Sequence, residues 1–207
     1  MYLSHVENFS AYKYLSKYFD VAFLLKFALL MTGIYSFNFG YMSLIDDRGL
    51  LYSGFLDQHL NYFAWLRATI LYTANLMVHG FGLNSYISDI FTLKAPNGHG
   101  VYVGLPCLGY GMISFWLAFI IAQDKSWQQR LGWCIGGVLM LWLLNCSRVA
   151  LLVISVQYRW NVNKWMDNHT AFNTAVYILT FVMIAGYYQI TKNTPDNKKT
   201  AAGIIRS

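Results

Sequence analysis

Charge is what this chain has least of. Its 207 residues hold 15 Lys and Arg against 9 Asp and Glu, while 57% are hydrophobic. So little ionic surface cannot clothe a soluble domain of this size, and an integral membrane protein is the class that remains. Short segments of alternating hydrophobicity, the mark of a membrane β-barrel, are missing too. Three cysteines, an odd count with no CxxC pair, provide neither a disulfide framework nor a metal spacing. The net charge of +6 comes without a basic patch interleaved with aromatics, which argues against nucleic acid as a partner.

What the chain does have is apolar blocks of about 20 residues, the length that crosses a hydrocarbon core of about 30 Å as a helix. Five are expected, at residues 21–39, 62–83, 106–122, 131–156 and 170–190. The first is interrupted by Lys26 and the second by Arg67 and His79, so the last three carry the reading. Residues 1–20 are polar and rich in Tyr, and suit either an interfacial helix on the headgroups or a partly ordered leader. No cleavable signal peptide is expected in them. Residues 191–207 read as a basic, flexible cytoplasmic tail.

Positive residues set the orientation. Lys125 and Arg130 between the third and fourth blocks, with Lys192, Lys198, Lys199 and Arg206 in the tail, favour the cytoplasm. The ends holding Cys107 and His169 are then expected outside. Counted at about 1.5 Å per residue from Leu131, Arg148 stands about 25 Å along its helix, near the outer headgroups within reach of its long stem. Thiol, guanidinium and imidazole are thus expected on one leaflet. The first two spans fit less well: if both cross, the amino terminus is outside, although Lys13 and Lys17 prefer inside, and their orientation stays open.

Each of the three has a chemical and a plain reading. Cys107 follows Pro106 and is expected to open a helix whose first turn includes Gly109 and Gly111, where unpaired amides favour thiolate and can hold an oxyanion. Otherwise it is a small packing residue, as Cys134 and Cys146 are read to be. Arg148 costs several kcal/mol deep in an apolar run unless it has a partner or a task, and Asn145, one turn earlier, can orient it. Its plain role is a topological anchor. His169 opens the fifth block in Asn168-His169-Thr170-Ala171-Phe172-Asn173, and can take a thiol proton and return it to a leaving amine. Its plain role is a surface or capping residue. His79 has no second intramembrane histidine to pair with for haem, and there is no HExxH, no pair of aspartates inside spans and no glycine-flanked serine elbow.

Cys107 with Gly109 two residues on, Asn145-Cys146-Ser147-Arg148 late in the next span and His169 opening the following one resemble the exosortase and archaeosortase family of membrane cysteine transpeptidases. The resemblance covers about residues 89–188. It departs from the family at Leu108, where many relatives carry a small or hydroxyl residue, and in length, since many have more spans. It implies an all-α polytopic membrane protein in a bacterial or archaeal cytoplasmic membrane, with about five transmembrane helices over residues 21–190. A short extracytoplasmic β-hairpin is expected before the third helix, with strands at 89–94 and 100–104 around the turn 95–98. That stretch reads equally as a structured loop.

The implied activity is cleavage of carboxy-terminal sorting signals of exported proteins through a thioester, and transfer to an acceptor. Cys107, Arg148 and His169 are then catalytic and Gly109, Asn145 and Asn173 supporting, with no metal or cofactor. The partners are tailed proteins, each with a motif, a hydrophobic helix and a basic end, and the bilayer. The competing expectation is a non-catalytic polytopic subunit of a transport or polysaccharide assembly.

Overall fold

The computed structural model describes residues 20–47, 49, 51–158 and 168–192. The segment expected at 1–20 and the tail expected at 191–207 lie almost wholly outside them. Helices α1 (Val21–Ile45), α2 (Gly54–Leu60) and α3 (Tyr62–Gly80) come first, then strands β1 (Tyr86–Asp89), β2 (Thr92–Lys94) and β3 (Gly100–Tyr102). A 3₁₀ turn (Leu105–Leu108) leads to α4 (Tyr110–Ala122), α5 (Trp127–Gln157) and α6 (Asn168–Lys192).

Among the described residues, three helices are long and apolar enough to cross a membrane: Val21–Ile45, Trp127–Gln157 and Thr174–Thr191. The fourth expected block forms the longest helix, α5, whose 31 residues extend about 46 Å at the usual rise. α4 is apolar but only 13 residues long. α1 starts where the Asp20 carboxylate accepts the Phe23 N–H at 3.0 Å, satisfying one of the amides a helix start leaves open. None of its residues is buried by protein, and Leu25, Leu29, Phe37 and Phe39 are all exposed. Such a surface is stable where hydrocarbon covers it. The chain is a helical membrane protein.

The described residues form two compact units. One takes in the chain up to Thr69 together with Gly104–Leu143, the other Ile70–Val103 and the chain from Leu144 onward. In the first unit α1 and α4 run antiparallel, as their aromatic pairs show. Phe23 meets Phe119 edge-on at 6.0 Å, Phe27 meets Phe115 at 5.4 Å, and Tyr35 stacks on Tyr110 at 5.9 Å. Lys26 Nζ lies 2.9 Å from Asp124 Oδ1 at the far end of the same pair. That hydrogen bond and the lysine's charge hold the Asp124 carboxyl below the usual carboxylate range. Trp116, fully buried, donates its indole N–H to the Trp133 carbonyl at 3.0 Å. The ring lies so close to Gly137 that a methyl group there would overlap it, so the glycine is what admits the indole.

The second unit holds an antiparallel sheet of order β1-β2-β3. The expected hairpin is its β2–β3 half, with Leu93 opposite Val101 and a turn closed by Ala95 N–H to the His99 carbonyl at 2.9 Å. Gly98 takes φ 81° there, a conformation that suits glycine. The expected first strand, however, bends at Ile90–Phe91 and pairs back on itself, adding β1. No glycine or proline marks that bend. Asp89 makes it, accepting the Phe91 N–H at 2.8 Å through its own carboxylate. Leu93, Ala95 and Val103 are fully buried beneath the sheet.

Two outcomes are expected from this packing. Gly137→Ala lowers the stability of detergent-solubilised protein by about 1–3 kcal/mol in a denaturant titration, as overpacking does; an unchanged midpoint contradicts the contact with Trp116. Because Asp124's pKa is depressed, its pair with Lys26 contributes above the usual carboxylate range and is lost as pH falls through the depressed value. Thermal midpoints of wild type and Lys26→Met therefore differ slightly at neutral pH and converge in acid, the pair being well exposed.

Candidate active site

Cys107 does not open α4. It sits in the preceding 3₁₀ turn, where its N–H donates to the Gly104 carbonyl at 3.0 Å and Pro106 fills an early position. Gly109 then adopts φ 72°, ψ 12°, and α4 begins after it at Tyr110. The left-handed residue turns the backbone between thiol and helix, so the expectation that Cys107 shares the helix's first-turn amides is corrected. Those amides remain without a side-chain cap, because the residue at the cap is Gly109 itself. Cys107 is 9% exposed and Leu108 1%, so the turn is pinned by a buried leucine and its thiol is largely covered by protein. Leu108, the departure from the family pattern, is the side chain that anchors this turn.

Asn145 and Arg148 lie one helical turn apart on α5 and are both buried, at 6% and 7% exposure. Arg148 stands 21 residues into the helix, about 32 Å from its start. Its guanidinium does not reach out to a surface as a snorkelling anchor would; protein covers it. Between them Ser147 approaches Met77 Sδ at 3.8 Å, and further along the helix Asn97 reaches the Gln157 carbonyl at 3.5 Å. His169 is the second residue of α6, and Asn173 follows one turn later by backbone spacing. Cys107 and Gly109 belong to the first compact unit, and Asn145, Arg148, His169 and Asn173 to the second.

Cys134 is half-buried and Cys146 fully buried, as packing residues are, and the described cysteines form no disulfide. No cluster of three metal-ligating side chains occurs among the described residues. Two features went unread in the sequence. Arg67, seen only as a flaw in the second block, is 9% exposed within α3. A set of polar groups around Asn38 and Ser114, each an isolated polar residue in an apolar run, ties α1, α3 and α4 together within the first unit. The available signal was the rarity of such residues in spans.

Gly109→Ala is expected to destabilise the turn by about 1 kcal/mol, since a Cβ is disfavoured at positive φ. Proteolysis or thermal unfolding of the solubilised protein measures it, and a stabilised variant contradicts the left-handed conformation.

No curated protein and no solved structure matches the chain. The family model described as Transmembrane exosortase (Exosortase_EpsH) matches residues 9–186, a stretch that includes every candidate residue above. With most of its length matched, on a helical membrane fold, the chain belongs to the transmembrane exosortase family, a family of cysteine transpeptidases.

Proposed function

We propose that this protein is a membrane cysteine transpeptidase that removes carboxy-terminal sorting signals from exported proteins and passes them to an acceptor amine, or to water. The observation that carries the reading is the family match over residues 9–186, which spans Cys107, Arg148 and His169.

In the proposed reaction His169 takes the proton of the Cys107 thiol, and the sulfur forms a bond to the scissile carbonyl carbon. Arg148 balances the negative charge that develops on the carbonyl oxygen, or holds the recognition motif. Collapse breaks the C–N bond, His169 returns its proton to the leaving amine, and a thioester remains on Cys107. An incoming amine attacks that thioester, gives up a proton and restores the thiol. Gly109 shapes the turn, while Asn145 and Asn173 support the arginine and histidine. The substrate's hydrophobic tail helix would lie in the bilayer beside the spans, its basic end inside.

The proposed setting is a bacterial or archaeal cytoplasmic membrane with the reaction on the outer side. Lys125 and Arg130 support placing the α4–α5 loop inside. The antiparallel packing of α1 on α4 and the Lys26–Asp124 pair support placing the start of α1 on that same side. On this reading the amino terminus of the first span lies inside, where Lys13 and Lys17 prefer to be.

Candidate proteins with a motif, a hydrophobic helix and a basic end, co-expressed from the same cell, test the reading by intact mass. Wild type is expected to yield trimmed or transferred products, and Cys107→Ser to leave tails uncut. Equal processing by both removes the thiol from the chemistry.

A further inference from the structure

Asn38 lies in α1, far in sequence from Cys107, yet it organises the helix that carries the thiol's turn. Its Oδ1 accepts the Tyr62 hydroxyl of α3 at 2.5 Å. Its Nδ2 donates to Ser114 Oγ of α4 at 3.1 Å and to its own helix's Ile34 carbonyl at 2.9 Å. Ser114, 1% exposed, donates its hydroxyl to the Tyr110 carbonyl at 2.7 Å. Tyr110 is the first residue of α4. Its ring is stacked on Tyr35 at 5.9 Å and meets the buried Phe63 edge-on at 5.9 Å. Only Leu108 and Gly109 separate Tyr110 from Cys107. All of these residues lie in one compact unit.

Holding helices together does not need such a network. Leucine-sized side chains pack spans well, and buried polar sets often add little stability over apolar ones while selecting one arrangement. A primary amide is the group that accepts from one neighbour and donates to another in a single plane. Here it selects the rotation of α4 about its axis: a one-residue rotation would carry Ser114 about 100° away from Asn38 and the turn with it. We propose that Asn38, acting through Ser114 and Tyr110, is a positioning residue for the Cys107 turn. The proposal rests on the reading of Cys107 as nucleophile for its kinetic consequence and on geometry alone for its structural one.

The test uses the full chain in lipid nanodiscs, with Cys134→Ala and Cys146→Ala so that one thiol reports. Cys107 alkylation by a small maleimide and turnover of a tailed substrate are measured per folded molecule. Asn38→Leu is expected to change the alkylation rate at least about threefold and to lower kcat about ten- to a hundredfold with little change in KM, the scale of a small misplacement of reacting groups. Ser114→Ala, the milder variant should Asn38→Leu fail to fold, gives the same effects in smaller degree, and Ser114→Thr, which keeps the hydroxyl, returns alkylation and kcat toward the wild-type values. The double variant is no worse than Asn38→Leu alone. Lower folded yield with alkylation and kcat per folded molecule unchanged in both variants overturns the proposal. Changed alkylation in a protein that never cleaves any substrate upholds the positioning and sinks the transpeptidase reading; normal cleavage with unchanged alkylation does the reverse.

Discussion

Hydrocarbon accepts no hydrogen bonds, and that single constraint shapes the rest of this molecule. A backbone in lipid must satisfy itself, hence the long helices; a polar side chain placed there must find a protein partner. Trp116 meets the requirement by reaching a backbone carbonyl across a glycine, and Asn38 by bonding to two neighbouring helices and its own. Arg148 and Asn145 are enclosed by protein instead of standing against lipid. Where the side chain is apolar the constraint vanishes, and α1 leaves Leu25, Leu29, Phe37 and Phe39 exposed to the bilayer.

The same constraint makes the thiol's surroundings unusual. A cysteine inside a regular helix would be one more packing residue, as Cys146 is. Cys107 instead stands in a tight turn, between a proline and a left-handed glycine, at the point where regular helix stops. Irregular backbone at such a place must be held by buried neighbours. Leu108 provides that on one side, and the ordered first turn of α4 on the other.

Much of this could be read in the residues. The apolar blocks marked the helices to within a few residues at most ends, because a span's length is set by bilayer thickness and not by distant contacts. Ala95-Pro96-Asn97-Gly98 announced its turn for the same local reason, glycine being at ease at positive φ. The bend at Ile90–Phe91 escaped notice, since it depends on one carboxylate folding back on one amide, a pattern that aspartate makes in many settings. The break between Cys107 and α4 escaped too. Gly109 is compatible with a helix start, and only the packing of Leu108 and Tyr110 on either side reveals that it takes the left-handed form. Of the candidate site, the residue types and their order were legible; whether each side chain faces lipid, water or protein was not.

Composition and periodicity by themselves determined that this is a helical membrane protein and where its apolar helices lie, because those follow from transfer to hydrocarbon, a property of each residue. Tertiary structure alone decided that α1 runs antiparallel to α4, that Asn38 meets Ser114 and Tyr62, and that the thiol sits outside the helix it was expected to begin. These depend on which faces of two helices meet, and a helix apolar on every side carries no local signal of the face it will turn inward.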